Sequence, residues 1–209
     1  MFLDGCQVTK LQNHSTTPLL LAILNFKPFE RYHIRKLALS ALIPGPRQYK
    51  DLNSYLAPLV RELLSLARGV PDIFNSYTNQ TFTLRAHLIL VSADGPASAS
   101  AIGMKTPGNS MRPCHQCYII PTKSESNRYY ITHSPEDYIH LDRRDNLRGF
   151  IARWDAMPDP VLKGEAGKQY GLVKISILLQ LESLDFPKSF PLDLMHCVLQ
   201  ISLHRSTRY

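Results

Sequence analysis

Cysteine is scarce in this chain, with four among 209 residues, at positions 6, 114, 117 and 197. They are too few and too unevenly spaced to staple a small secreted fold. Long apolar runs are missing as well. The longest, Pro18 to Leu24, falls far short of the roughly 20 residues that a membrane span requires, so no membrane partner is expected. The start, Met1-Phe2-Leu3-Asp4, has no basic stretch, and a carboxylate interrupts any apolar region. It does not read as a secretory signal, and an intracellular protein is the expectation. No P-loop, dinucleotide-binding glycine motif or Ser-His-Asp arrangement is present; Ile43-Pro44-Gly45-Pro46-Arg47 is not a phosphate cradle. No internal repeat is visible.

What is present fits an ordinary globular protein, with 44% hydrophobic and 20% charged residues. A chain of this length buries roughly 70% of the surface it exposes when unfolded and needs no staples. A single domain over 1–209 is expected. Lys and Arg number 24 against 17 Asp and Glu, a net charge of +7, and the sequence pI is near 9.3. That balance favours a polyanionic partner such as nucleic acid. The excess is diffuse, densest at Arg31 to Lys36 and Arg143 to Arg153, where acids or apolar residues are mixed in.

Along the chain, Phe2-Leu3-Asp4-Gly5 reads as the end of a strand and its turn, and Pro18 to Leu24 fits a buried strand, which periodicity alone does not separate from a short helix. Ile43-Pro44-Gly45-Pro46 reads as a break. The strongest helix follows: Leu52, Tyr55, Leu56, Leu59, Val60, Leu63, Leu66 and Ala67 keep the rhythm of one buried face. Asp51, Asn53 or Ser54 is placed to cap its start and Gly69 to end it. Pro58 is tolerable if Ser54 is the cap. Thr81 to Ala93, with Phe82, Leu84, Ala86, Leu88, Ile89, Leu90 and Val91, forms a long apolar element, whose second half is expected to be a central strand running into Asp94-Gly95-Pro96. Ser98 to Pro113 reads as loop, and Pro121 to Pro160 as irregular. Residues 98–160 are therefore expected to form a loop-rich insertion. Gly171 to Leu181 is expected to flank the core, and a final helix capped by Asp193 to follow Phe190-Pro191.

Three constellations could carry chemistry. Asp4 and Asp94 each end an apolar strand before a glycine, a position that fixes a carboxylate while exposing it to a divalent cation; the simpler reading is a turn former. Cys114-His115-Gln116-Cys117 places two thiols where they could grip one zinc ion. Candidates for its remaining ligands are His115, His133 and His140 nearby, and His196 and Cys197 far along the chain. The alternatives are two merely buried cysteines and a redox pair, although redox pairs usually open a helix after a strand. Last, Asp193, His196 and Gln200 would share one face of a helix.

The order of these words resembles the transposases of CACTA-type (En/Spm-like) DNA transposons, especially fungal ones. It runs from Ile43-Pro44-Gly45-Pro46 through Lys50-Asp51-Leu52-Asn53-Ser54-Tyr55-Leu56-Ala57-Pro58-Leu59-Val60-Arg61-Glu62-Leu63 and Phe82-Thr83-Leu84-Arg85-Ala86. Asp94-Gly95-Pro96-Ala97, the CxxC and Phe190-Pro191-Leu192-Asp193-Leu194-Met195-His196 complete it. The resemblance implies an α/β fold with a ribonuclease-H-like core bearing three catalytic acids. It places the first on Asp4 and the second on Asp94, and matches the family's CxxC with Cys114 and Cys117. Held together, the acids would bind Mg²⁺ or Mn²⁺ for phosphoryl transfer at transposon ends. The third acid is expected in the helix beginning at Met195-His196, where Gln200 stands instead. The expectation is therefore a nuclear, DNA-binding transposase fragment, possible as a homo-oligomer, that lacks activity as written. The alternative is a non-catalytic, zinc-stabilised DNA- or protein-binding module. In either case His196 is expected to join Cys114 and Cys117 at zinc, ahead of Cys197, whose side chain would point about 100° away.

Overall fold

A computed structural model describes residues 1–3, 5–7, 15–45, 49–106, 111–112, 114–117, 119, 122–123, 129–130 and 147–193. The fold is mixed α/β. It divides into two compact units, residues 1–90 with 177–184, and residues 91–176 with 185–209.

The first unit is built on a sheet around strand β3 (Ser15–Ala22). Strands β1 (Phe2–Leu3) and β2 (Cys6–Gln7) pair antiparallel with it in succession, Leu3 opposite Leu19 and Cys6 opposite Thr16. Strand β4 (Leu37–Pro44) occupies the other edge, from Thr16↔Pro44 to Ala22↔Leu37, with an irregularity between Leu19 and Leu20. The expected break at Ile43-Pro44 is thus displaced. Ile43 and Pro44 finish β4, a position where a missing N–H costs one ladder bond at most, and Gly45 leaves the sheet with its N–H on the Ser15 carbonyl at 2.9 Å. The β3–β4 connection carries a short helix, α1 (Pro28–Arg31), and a 3₁₀ turn at Ile34–Lys36.

Helix α2 (Leu52–Arg68) forms as its periodicity predicts, with Leu52, Leu56, Leu59, Val60 and Leu63 buried. Each such side chain contributes about 1.5–3 kcal/mol on leaving water. Of the three candidate caps, Asp51 does the work. Its Oδ1 accepts from Asn53 N–H at 3.2 Å and its Oδ2 from the Ser54 hydroxyl at 2.9 Å. Because the helix begins earlier than a Ser54 cap would allow, Pro58 lies inside it, on the exposed face. Gly69, at φ 108°, ends the helix. Strands β5 (Val70–Asn75) and β6 (Gln80–Leu84) form a two-stranded ribbon, Ile73 opposite Phe82 and Phe74 opposite Thr81. The long strand expected after Phe82 does not continue: residues 85–91 have no strand pairing, and the Ala86 N–H bonds the Leu66 carbonyl at 3.3 Å instead. A 3₁₀ turn at Ile177–Gln180 returns to pack on α2, its Ile177 N–H held by Asn53 Oδ1 at 3.1 Å.

The second unit begins with the two-residue strand β7 (Ser92–Ala93) and helix α3 (Gly95–Ile102). The loop read from Ser98 is therefore helical as far as Ile102. Its Ala and Ser side chains carry no apolar stripe, yet Ser98, Ala99, Ala101 and Ile102 are buried. Gly103 ends α3 in the left-handed region, φ 89°, and its carbonyl accepts from Val173 and Lys174 at 2.9 and 3.2 Å. The stretch read as irregular also contains order: a small ribbon of β8 (Thr122–Lys123) and β9 (Tyr129–Tyr130), and helix α4 (Leu147–Asp155) with Leu147, Ile151 and Trp154 buried. Helix α5 (Pro160–Tyr170), capped by Asp159, closes against α4. There the Trp154 indole N–H donates to the Lys163 carbonyl at 2.8 Å, and Gly167 leaves room for the Trp154 ring.

Candidate functional site

Asp94 stands where the sequence puts it, at the end of a strand. The local chemistry gives it a defined job. Strand β7 delivers it with extended backbone (φ −62°, ψ 170°), and its Oδ1 accepts from the Ala97 N–H at 2.7 Å. The first turn of a helix leaves N–H groups without intrahelical partners, and a carboxylate there gains from both the hydrogen bond and the helix dipole. Pro96 in that turn, and the Ser98 hydroxyl donating to the Ala93 carbonyl at 3.1 Å, pin the corner further. Asp94 is half-buried, so one carboxylate oxygen caps the helix in a fixed rotamer beside a partly open surface. Asp4, its expected partner, lies outside the described residues, as do His196 and Gln200.

The CxxC is a structured knuckle. The Gln116 N–H donates to Cys114 Sγ at 3.3 Å. The Cys114 thiol is lowered from its ordinary value of 9.0 to about 5, mainly by a hydrogen bond from the Cys117 side chain; burial opposes this, and the backbone N–H groups of Gln116 and Cys117 add to it. Donors converging on one sulfur favour its thiolate. The two residues between the cysteines bond a distant stretch of backbone. His115 is buried, and its Nε2 donates to the Phe190 carbonyl at 2.8 Å. The Gln116 amide donates to the same oxygen at 2.7 Å and to the Pro187 carbonyl at 3.2 Å. The knuckle therefore clamps the Phe186–Phe190 turn, whose two aromatic rings lie 4.8 Å apart, while Arg148 stands 5.2 Å over the Phe186 ring.

The structure thus brings Cys114 and Cys117 together and turns His115 Nε2, one of the candidate ligand atoms, to a carbonyl. His133, His140, His196 and Cys197 fall outside the described residues. Among the described residues, no three His, Cys, Asp or Glu side chains gather as a metal would need. Gln116 and its grip on the Pro187 and Phe190 carbonyls escaped the sequence reading; nothing in the spacing signals a contact with residues so far along the chain.

Compared with known families, the chain matches the transposase family tnp2 over residues 7–158, well over half its length. It belongs to that family. The match takes in β3, β4, α2, the Asp94 corner and the CxxC knuckle, so the transposase expectation holds at the level of family. No curated protein and no solved structure matches the chain. DNA is the partner this family suggests. Among the described residues no helix is long and apolar enough to cross a membrane.

Proposed function

We propose that this tnp2-family chain is a DNA-binding, transposase-derived protein of the CACTA (En/Spm-like) fungal type, acting in the nucleus, and that it performs no strand transfer as written. The family match over residues 7–158 carries this reading; the net charge of +7 supports it. Residues 1–209 would form a single ribonuclease-H-like domain, and a homo-oligomer is the working form we expect at transposon ends.

In this reading the carboxylates of Asp4 and Asp94 would hold Mg²⁺ or Mn²⁺. Asp94 fits that role on its own geometry: a hydrogen-bonded, half-buried carboxylate at a strand end, orientated before any ion arrives. Divalent ions bound there would neutralise charge at a DNA phosphate and activate the attacking oxygen. The third position falls on Gln200, whose neutral amide oxygen is a poorer partner for a cation than a carboxylate. Losing that charge is the reason for predicting inactivity.

One observation favours a second reading, a non-catalytic module stabilised by zinc. The knuckle presents Cys114 and Cys117 with their sulfurs in contact and backbone N–H groups already on Cys114, an arrangement suited to two of the four ligands of a structural zinc site. His196 would supply a third. Zinc there would cross-link the knuckle.

A single set of measurements separates these readings. Purified chain should bind duplex DNA with an affinity that falls steeply as salt rises. With Mg²⁺ or Mn²⁺ it should neither nick nor join transposon-end DNA, and Gln200→Glu is the change expected to restore cleavage. Cleavage by the unaltered chain, lost in Asp94→Asn, would overturn the inactive assignment. Elemental analysis showing no zinc in chain purified without chelator would remove the zinc-stabilised module, and absence of DNA binding would remove the main reading.

A further inference from the structure

A cavity of about 320 Å³ opens in the first unit. It is lined by Leu63, Leu64, Ala67 and Arg68 of α2, by His87 and Leu88, and by Gln180 to Ser183. Two bonds fix its walls. The Ala86 N–H is held by the Leu66 carbonyl at 3.3 Å, and the Ser183 hydroxyl donates to the Leu88 carbonyl at 2.6 Å. The helix end, the irregular segment after β6 and the returning turn are therefore tied together around a formed space.

The lining is divided. Leu63, Leu88 and Leu181 are buried, which makes an apolar floor. Arg68, His87, Gln180 and Glu182 are exposed, which makes a polar rim with two basic groups, one acidic group and one amide. Neither Arg68 nor His87 has an ion-pair partner among the described residues. Sites of this kind, mostly apolar with a few placed polar groups, are where small planar groups are held; about 300 Å³ is the lower end of their range, room for one ring system rather than for a helix.

The surroundings indicate which ring system. Arg68 is the last residue of α2, and the chain turns at Gly69 directly into the β5–β6 ribbon. Arg85, at the foot of that ribbon, passes so close to Gly69 that a β-carbon there would lie 3.2 Å from its Nε. Arg68, Arg85 and His87 thus gather at one end of the ribbon; of its exposed rings Phe82 lies on the strand that leads to Arg85, whereas Phe74 and Tyr77 lie toward the opposite end. Basic groups for phosphates, with an exposed ring on the strand leading to them, are parts of a surface that follows an unpaired strand. Two cations without ion-pair partners, against the single carboxylate of Glu182 in the lining, favour a polyanionic strand over an apolar peptide side chain.

We propose that this cavity receives the unpaired base of a DNA strand, with the Leu63, Leu88 and Leu181 side chains against the base faces. Gln180, Glu182 and Ser183 offer the donors and acceptors that a base edge presents, and Arg68 and His87 lie where the flanking phosphates would run. Extruding a base costs least where it is already unpaired, so the site selects distorted or single-stranded DNA over intact duplex. The inference rests on the DNA-binding reading above, which could hold without it.

The test uses the full chain and two duplexes of the same sequence, one fully paired and one with a single unpaired 2-aminopurine, read by anisotropy and by 2-aminopurine fluorescence. The unpaired duplex should bind at least ten-fold tighter, with a fluorescence change on binding. Ala67→Phe, which fills the cavity, should abolish that margin and leave the affinity for paired DNA unchanged. Arg68→Gln, an exposed change that leaves the floor intact, should reduce the margin several-fold. Equal affinity for the two duplexes, or a margin that survives Ala67→Phe in folded protein, would overturn the base pocket while leaving general DNA binding in place. No affinity for either duplex would instead defeat the parent reading. Binding of a phenylalanine-bearing peptide, blocked by Ala67→Phe and without any preference between duplexes, would assign the cavity to a protein partner and also overturn the proposal.

Discussion

His115 and Phe190, 75 residues apart in the sequence, meet through a 2.8 Å hydrogen bond from the buried imidazole to the backbone carbonyl. The same carbonyl oxygen accepts from Gln116 at 2.7 Å. One oxygen with two donors from adjacent residues makes the knuckle and the Phe186–Phe190 turn a single structural piece.

That sharing has a measurable consequence. Removing one donor leaves the carbonyl satisfied by the other, whereas removing both strands a polar group beside buried Phe190. His115→Ala and Gln116→Ala should each destabilise the protein by about 1 kcal/mol, and the double variant by more than their sum. Urea unfolding of the four proteins gives the cycle. Strict additivity would show that the two donors act independently.

The Cys114 thiol is lowered to about 5 from an ordinary value of 9.0, first through the Cys117 hydrogen bond. Its folded value lies below its unfolded one, so the thiolate contribution to stability is fully present above pH 9. It declines as pH falls from 9 towards 5, and is lost below. In metal-free protein the rate of iodoacetamide modification at Cys114 should rise with a midpoint near 5. Cys117→Ala, which deletes the main cause, should move that midpoint up towards the ordinary thiol range. A midpoint near 9 in the unaltered protein would count against the described knuckle.

Asp94 combines a structural duty with a proposed chemical one, and two substitutions divide them. Asp94→Ala removes the oxygen that accepts from Ala97 and should cost about 0.5–2 kcal/mol by thermal unfolding. Asp94→Asn keeps a capping oxygen and should leave stability nearly unchanged, because Asn caps as well as Asp. If Gln200→Glu creates cleavage, adding Asp94→Asn should abolish it without lowering the melting temperature. Equal destabilisation by both Asp94 variants would mean that charge at the helix start matters more than the hydrogen bond.

The legibility of each element follows from where its stabilisation comes from. Helix α2 was readable because Leu52, Leu56, Leu59, Val60 and Leu63 are both periodic and buried, so pattern and packing agree. Helix α5 carries no such stripe. Val161 and Leu162 are exposed and Gly167 is its buried residue, so its signals were the Asp159 cap and Pro160 alone. Helix α3 hid behind small residues, although Asp94 marked its start. In the candidate site, the Cys114–Cys117 pairing was legible from spacing, since two intervening residues bring thiols together. The hold of His115 and Gln116 on the Phe190 carbonyl was not, because a backbone acceptor has no side-chain signature. The base cavity has walls from three separated stretches and no motif in any of them.

Pro58 is where sequence and structure disagree most usefully. A Ser54 cap would have placed it near the helix start, where a proline costs little. The Asp51 cap puts it in the second turn, with no N–H to offer the Ser54 carbonyl. A proline in a helix interior costs about 3 kcal/mol relative to alanine, and its stiffening of the unfolded chain offsets about 0.4–1 kcal/mol of that. Because Pro58 is exposed, replacing it removes little packing. Pro58→Ala should therefore stabilise the protein by about 1–3 kcal/mol and raise its helical circular dichroism. The cavity lies at the far end of the same helix, at Leu63 to Arg68, so the unpaired-base margin in Pro58→Ala reports on α2 itself. A retained margin would show that only the local lining matters. A lost margin, in a more stable protein, would show that the proline at position 58 helps to set the cavity's shape.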